Sequence, residues 1–183
     1  MKKILVMFFS ILTAAILLAF ATRGNIGNPI YYQTEKDTRV GGPYETTNST
    51  SRFALTEAIA MNRTFYLTAD QARFAAPDVT ELNGKYLSIF TPGVSLIAVP
   101  FFIVGQYFSL SQLFSYSSIE LFGLLNFWLV YKLASKLGAN TWASLFSAFT
   151  FLFGTNALGY SQTFTQHHMS NSVILAGLLL ATQ

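Results

Sequence analysis

The side chains able to do chemistry are few and unevenly placed. Four carboxylates, Asp37, Glu45, Glu57 and Asp78, fall in one polar stretch of the 183-residue chain, together with the cations Arg52 and Lys85. A carboxylate near a hydroxyl or amine can take its proton, and a guanidinium or ammonium can hold a phosphate oxygen. Further along stand two adjacent histidines, His167 and His168. Consecutive residues project from different sides of a helix, so the pair does not make a metal site by itself, and no other ligand set marks one. The chain has no cysteine, which excludes disulfides, thiolate nucleophiles and thiolate-bound metals. It also lacks a phosphate-binding P-loop, a dinucleotide fingerprint, a GxSxG elbow and an HExxH pair, so no cofactor is expected.

The elements that must carry these residues are set by where charge is missing. Hydrophobic residues make up 52% of the chain and charged ones only 10%, well below the quarter usual in soluble domains. Seven of the 11 basic and seven of the 8 acidic residues lie between Arg23 and Lys85, and cancel. The net charge of +3 therefore comes from Lys2, Lys3, Lys132 and Lys136 against Glu120, all beside apolar runs. No basic face suits a phosphate backbone, so nucleic acid is excluded as a partner.

Residues 1–21 read as an amino-terminal signal-anchor span. The run 4–21 is uncharged and, at about 1.5 Å per residue, just crosses a hydrocarbon core of about 30 Å. A cleaved signal peptide ending at Ala19-Phe20-Ala21 is the competing reading. Further apolar runs favour the anchor, and both readings keep the amino terminus cytoplasmic. Residues 22–90 read as an extracytoplasmic loop, broken by glycines and prolines. Within it, 50–61 predicts a short amphipathic helix lying on the membrane surface or on the spans, and 65–67 an extended segment. Asn48-Ser49-Thr50 and Asn62-Arg63-Thr64 fit the N-glycosylation pattern.

Residues 91–110 are apolar but carry Pro92, Gly93, Pro100 and Gly105, which predicts a broken interfacial or re-entrant helix. Spans are expected over 118–137 and 142–160, and 170–183 reads as the start of a further one. If 91–110 crossed the membrane, 118–137 would export Lys132 and Lys136. If it turns back, these lysines join Lys2 and Lys3 in the cytoplasm, as the positive-inside rule prefers. The last apolar run stops short of a full span, so the chain reads as a fragment or amino-terminal module. The expected fold is an all-α integral membrane protein, a multi-span bundle with a long first outside loop bearing short surface helices. Asn126, inside a span, is expected to hydrogen-bond between helices.

Several stretches in this order resemble the C-type integral membrane glycosyltransferase superfamily, in its protein O-mannosyltransferase and aminoarabinose transferase-like branch. They are residues 48–59 (NSTSRFALTEAI), then Asp78, Asn83-Gly84-Lys85-Tyr86-Leu87-Ser88, Thr91-Pro92-Gly93-Val94-Ser95-Leu96, and Asn126 with 130–134. The resemblance covers roughly residues 45–183. Members often carry a basic residue just ahead of the Pro-Gly pair, where this chain has Phe90.

The resemblance implies transfer of a sugar from a polyprenyl-phosphate donor to a protein, glycan or lipid acceptor outside the cytoplasm, with membrane lipid as the other partner. On that reading Glu45 is the first candidate for a catalytic base and Asp37 the second. Arg52, Glu57, Asp78, Lys85, His167 and His168 are candidate substrate contacts, and Lys85 replaces the basic residue missing before Pro92. Each has a plainer alternative. Glu45 is a solvated loop acid, Glu57 a helix-face charge, Asp78 a cap on the Asn-Gly turn, Arg52 a lipid-headgroup contact, and the histidines a loop pair. Two other classes fit the same pattern: a small non-enzymatic membrane protein that binds a partner or lipid through its outside loop, and a transporter fragment. The few polar residues within the spans disfavour the transporter.

Overall fold

The computed structural model describes residues 2–22 and 46–182. These are mostly helical, 74% helix in eight helices, with one small sheet. The helices are α1 (Lys2–Ala21), α2 (Thr47–Asn62), α3 (Ala69–Ala75), α4 (Gly93–Tyr107), α5 (Ser111–Lys136), α6 (Thr141–Phe153), α7 (Ala157–Ser161) and α8 (His167–Ala181). The strands are β1 (Tyr66–Leu67), β2 (Val79–Leu82) and β3 (Lys85–Ser88). They form an antiparallel sheet in the order β1-β3-β2, which an all-α expectation does not contain. The β2–β3 turn follows from Asn83-Gly84: both take positive φ, 52° and 74°, the backbone that a two-residue hairpin requires.

The chain divides into two compact units. The first contains Met1–Thr22, Glu120–Ser161 and His167–Gln183, and the second Arg23–Ile119 and Gln162–Gln166. In the first, α1 and the later part of α5 run antiparallel. Thr22 at the end of α1 donates to the Glu120 carboxylate, while Ile4 and Met7 near its start share a cleft with Lys132 and Lys136. Ala14, Leu18, Phe127, Ala148, Leu152 and Ala157 form the buried core there, and the Phe127 and Phe149 rings meet edge-to-face at 4.9 Å. Small residues at 14, 148 and 157 let the helices come close.

By length and composition two helices can cross a membrane, one over Ile4–Ala21 and the other over Ser111–Lys136. The helix over the expected 118–137 span begins earlier, at Ser111. Over the expected 142–160 span the chain instead forms α6 and then breaks at Gly154 before α7. Glycine suits the break, since a Cβ at position 154 would lie 2.9 Å from the Thr150 carbonyl oxygen. The 13 residues of α6 reach about 20 Å, short of a bilayer core.

The second unit is built on α2, which packs against α4, α3 and the sheet. Here the structure departs from the expected surface helix. Residues Ser49 to Thr56 are all buried, Arg52 included. Hydroxyls explain it: Thr50 donates to the Thr47 carbonyl and Thr56 to the Arg52 carbonyl, so these side chains enter the interior already satisfied. Ala54, Leu55, Ala58, Leu67, Ala72 and Ala75 complete one apolar cluster. Phe53 packs against Phe102 and Phe164 at 5.8 and 6.4 Å. Thr46 caps the start of α2, and Arg63, in the left-handed conformation, ends it.

Candidate functional site

Arg52 is the centre of the polar chemistry in the second unit. Its side chain is only 3% exposed. One terminal nitrogen, Nη2, donates to Gln166 Oε1 at 2.7 Å, and Nη1 to the Asn48 carbonyl at 3.4 Å. The guanidinium carbon sits 4.1 Å from the Phe90 ring centre. Phe90 thus faces the cation, at the position where the resembled family often has a basic residue. Burial lowers the guanidinium pKa from its ordinary value, and the Asp78 carboxylate works in the other direction. Arginine keeps its proton through such changes, so the site carries a fixed positive charge.

Hydroxyls assemble the surroundings of that charge. Ser95, two residues into α4, donates to the Arg52 carbonyl at 2.8 Å. Ser51 contacts both the Asp78 carbonyl, at 2.7 Å, and Ser88 Oγ, at 2.8 Å. Thr47 donates to Asp78 Oδ2 at 2.7 Å. Ser51, Arg52, Asp78, Ser88 and Ser95, from four separate stretches of sequence, are therefore stitched into one region by side-chain bonds. Two polar atoms beside them, Arg52 Nε and Asn48 Oδ1, are buried without a hydrogen-bond partner among the described residues. A buried guanidinium with a donor to spare is chemically an anion-binding element.

The remaining sequence candidates scatter. Glu45 and Asp37 lie outside the described residues. Glu57 accepts from Gln71 Nε2 at 2.7 Å, which joins α2 to α3. Asp78 does not cap the Asn-Gly turn: it precedes β2 and binds Thr47 instead. Lys85 lies at the other end of the hairpin, its Nζ 4.3 Å from the Tyr66 ring centre, and no bond among the described residues joins it to Arg52. Asn48, the first glycosylation triplet, sits in α2 with Ser49 and Thr50 buried, which leaves only Asn62 exposed for such a modification.

The histidines separate into two roles, both in the first unit. His167 is exposed and lies against Tyr160, ring centres 4.0 Å apart. His168 is 1% exposed and fully bonded. Its Nδ1 lies 3.0 Å from Asn126 Nδ2, and its Nε2 lies 2.8 Å from Ser161 Oγ and 2.9 Å from the Ala157 carbonyl. The serine, histidine and asparagine resemble a nucleophilic triad in outline, yet the polarity is wrong. Asn126 Nδ2 also donates to the His168 carbonyl, and Ser172 donates to Asn126 Oδ1, which orients the amide. Asn126 therefore presents N–H to Nδ1, the proton of the neutral ring stands on Nε2, and that nitrogen is no base for Ser161. Asn126 does bond between helices, from α5 to α8.

Sequence reasoning missed Gln166 and the partners of His168. Gln166 stands in a polar segment without a spacing signal. Ser161 and Ser172 likewise stand among other polar residues, Gln162-Thr163 and Ser170-Asn171, and carry none. Among the described residues no three His, Asp or Glu side chains are grouped to hold a metal ion. Compared with known proteins, the chain matches no family model, no curated protein and no solved structure.

Proposed function

We propose that this protein is a membrane glycosyltransferase that moves a sugar from a polyprenyl-phosphate carrier to an acceptor on the extracytoplasmic side. The observation that carries the reading is Arg52, a buried cation with a donor to spare, which lies in the 48–59 stretch of the family resemblance and whose carbonyl accepts from Ser95 of the 91–96 stretch. In this reaction the departing carrier phosphate gains negative charge, and a preorganised guanidinium in a dry site stabilises it strongly. Phe90 keeps water from one face of the guanidinium. The acceptor needs a base, and Glu45, immediately before the Thr46 cap of α2, is the first candidate, with Asp37 second.

The membrane part of the reading has its own support. Two helices are long and apolar enough to cross a bilayer, and most of the α1 window is uncovered by protein. Lys132 and Lys136 stand at the end of the first unit where α1 begins. That arrangement suits a cytoplasmic placement of both lysines and the amino terminus.

Membranes containing the protein, supplied with a panel of radiolabelled polyprenyl-phosphate hexoses and pentoses, test the proposal. Label should pass to an acceptor fraction. Arg52→Gln should reduce transfer by about a hundredfold or more, the scale of losing one charge-stabilising donor. Arg52→Lys should restore only part of it, because a point charge does not replace the planar fork. Glu45→Gln should abolish transfer at unchanged expression, and unchanged transfer would remove Glu45 from the mechanism.

One observation favours a second reading. Arg52 already engages Gln166, the Asn48 carbonyl and Phe90, so it also suits a structural pin in a non-enzymatic membrane protein that binds a partner through its outer unit. That reading requires Arg52→Gln to lower thermal stability without any transfer activity existing to lose.

A further inference from the structure

At one end of the first unit a cleft of about 670 Å³ opens between α1, α5 and α8. Its α5 wall is Trp128, Tyr131, Lys132, Ser135 and Lys136. The spacing of three and four residues puts all five on neighbouring turns of one helix face. Lys132 Nζ is 5.7 Å from the Trp128 ring centre. Neither lysine has an ion-pair partner among the described residues, whose salt bridge joins Arg73 to Asp70. The opposite wall, from α1, is apolar at Met7 and continues into the exposed Phe8 and Leu12.

From this combination we infer a binding site for the phosphate of an anionic phospholipid, with its acyl chains along α1. The chemistry is specific at three points. Two ammonium groups supply charge for a phosphodiester, and basic pockets between membrane helices recognise such headgroups. Tyr131 and Ser135, which line the same cleft, add hydroxyl donors. Trp128 and Tyr131 mark the depth, since indole and phenol rings settle where headgroups meet hydrocarbon. A soluble phosphate ligand would use the lysines and hydroxyls but would have no use for the apolar wall. The site belongs to the first unit and Arg52 to the second, and the inference uses nothing of the proposed transfer. It rests only on the membrane placement of α1 and α5.

Trp128 is a built-in reporter. The other tryptophan, Trp142, is 74% exposed, and Trp142→Phe leaves Trp128 as the sole indole. The full chain with this change is reconstituted into phosphatidylcholine vesicles carrying brominated phosphatidylglycerol or, separately, brominated phosphatidylcholine. Quenching of Trp128 then reads which lipid occupies the cleft. Phosphatidylglycerol should be preferred by about tenfold, Lys132→Gln with Lys136→Gln should bring the ratio to about one, and the double arginine variant should keep it. Inorganic phosphate in the buffer should leave the quenching unchanged. Equal quenching by both lipids overturns the inference, as does a preference that survives the double glutamine variant. Displacement by inorganic phosphate overturns the lipid source and identifies a soluble ligand. An unchanged thermal melt of the glutamine variant shows that any lost preference is not lost folding. None of these outcomes depends on sugar transfer, so either idea can fail alone.

Discussion

At the residue scale, burial separates two polar groups that the sequence presents alike. Arg52 and His168 are both interior, but one keeps an unused donor and the other has none left. The spent one is a lock. Asn126 satisfies His168 at Nδ1 and at its carbonyl, and receives Ser172. Asn126→Ala leaves the buried His168 Nδ1 without its partner, while Ser172 and the His168 carbonyl keep the bond between them, and should lower stability by about 1–3 kcal/mol, read as a lower unfolding temperature in detergent. Ser172→Ala should cost less, since its hydrogen is shared between two acceptors. The sequence made Asn126 legible because a lone amide in an apolar run must find a partner. It hid His168, because adjacency to His167 suggested a loop pair. Only the helical turn that sends one ring against Tyr160 and the other inward tells them apart.

At the element scale, hydroxyl content misleads where charge does not. The amphipathic pattern of residues 50–61 describes a helix lying on a surface or on the spans, while the structure buries Ser49 to Thr56, with hydroxyls back-bonded to helix carbonyls. The Asn83-Gly84 turn was readable, since two positive φ angles in a row need such residues; that three short strands would close on it was not, because they bury little of their own. Glycines mark where elements must end. A Cβ at Gly105 would lie 2.8 Å from Phe114 Cβ and 2.8 Å from Ser111 Cα, in the tight passage from α4 to α5. Gly105→Ala should therefore destabilise by about 1–3 kcal/mol. The matching control is Gly159→Ala, which meets nothing within 4 Å and should leave the melt unmoved.

At the scale of the whole molecule, charge and length made the apolar elements legible; the interleaving of the two units was not, because it depends on which distant segments pack together. The proposed topology gives a direct prediction. The chain has no native thiol, so single cysteines report alone. In intact cells Leu82→Cys should react with an impermeant maleimide, and Leu137→Cys only after permeabilisation; both leucines are exposed, at 61% and 72%. Labelling of Leu137→Cys from outside would reverse the placement of the lysines. The interleaving also has a temporal side. Ala14 and Leu18 on α1 are buried by Phe127, Ala148, Leu152 and Ala157, which the ribosome delivers more than a hundred residues later. At about 5–20 residues per second the nascent α1 waits on the order of 5–20 s with its packing seam open. On the proposed membrane placement its companions through that interval are lipids or the insertion machinery, so the first helix has to be stable as a solitary guest in the bilayer long before it becomes part of a folded bundle.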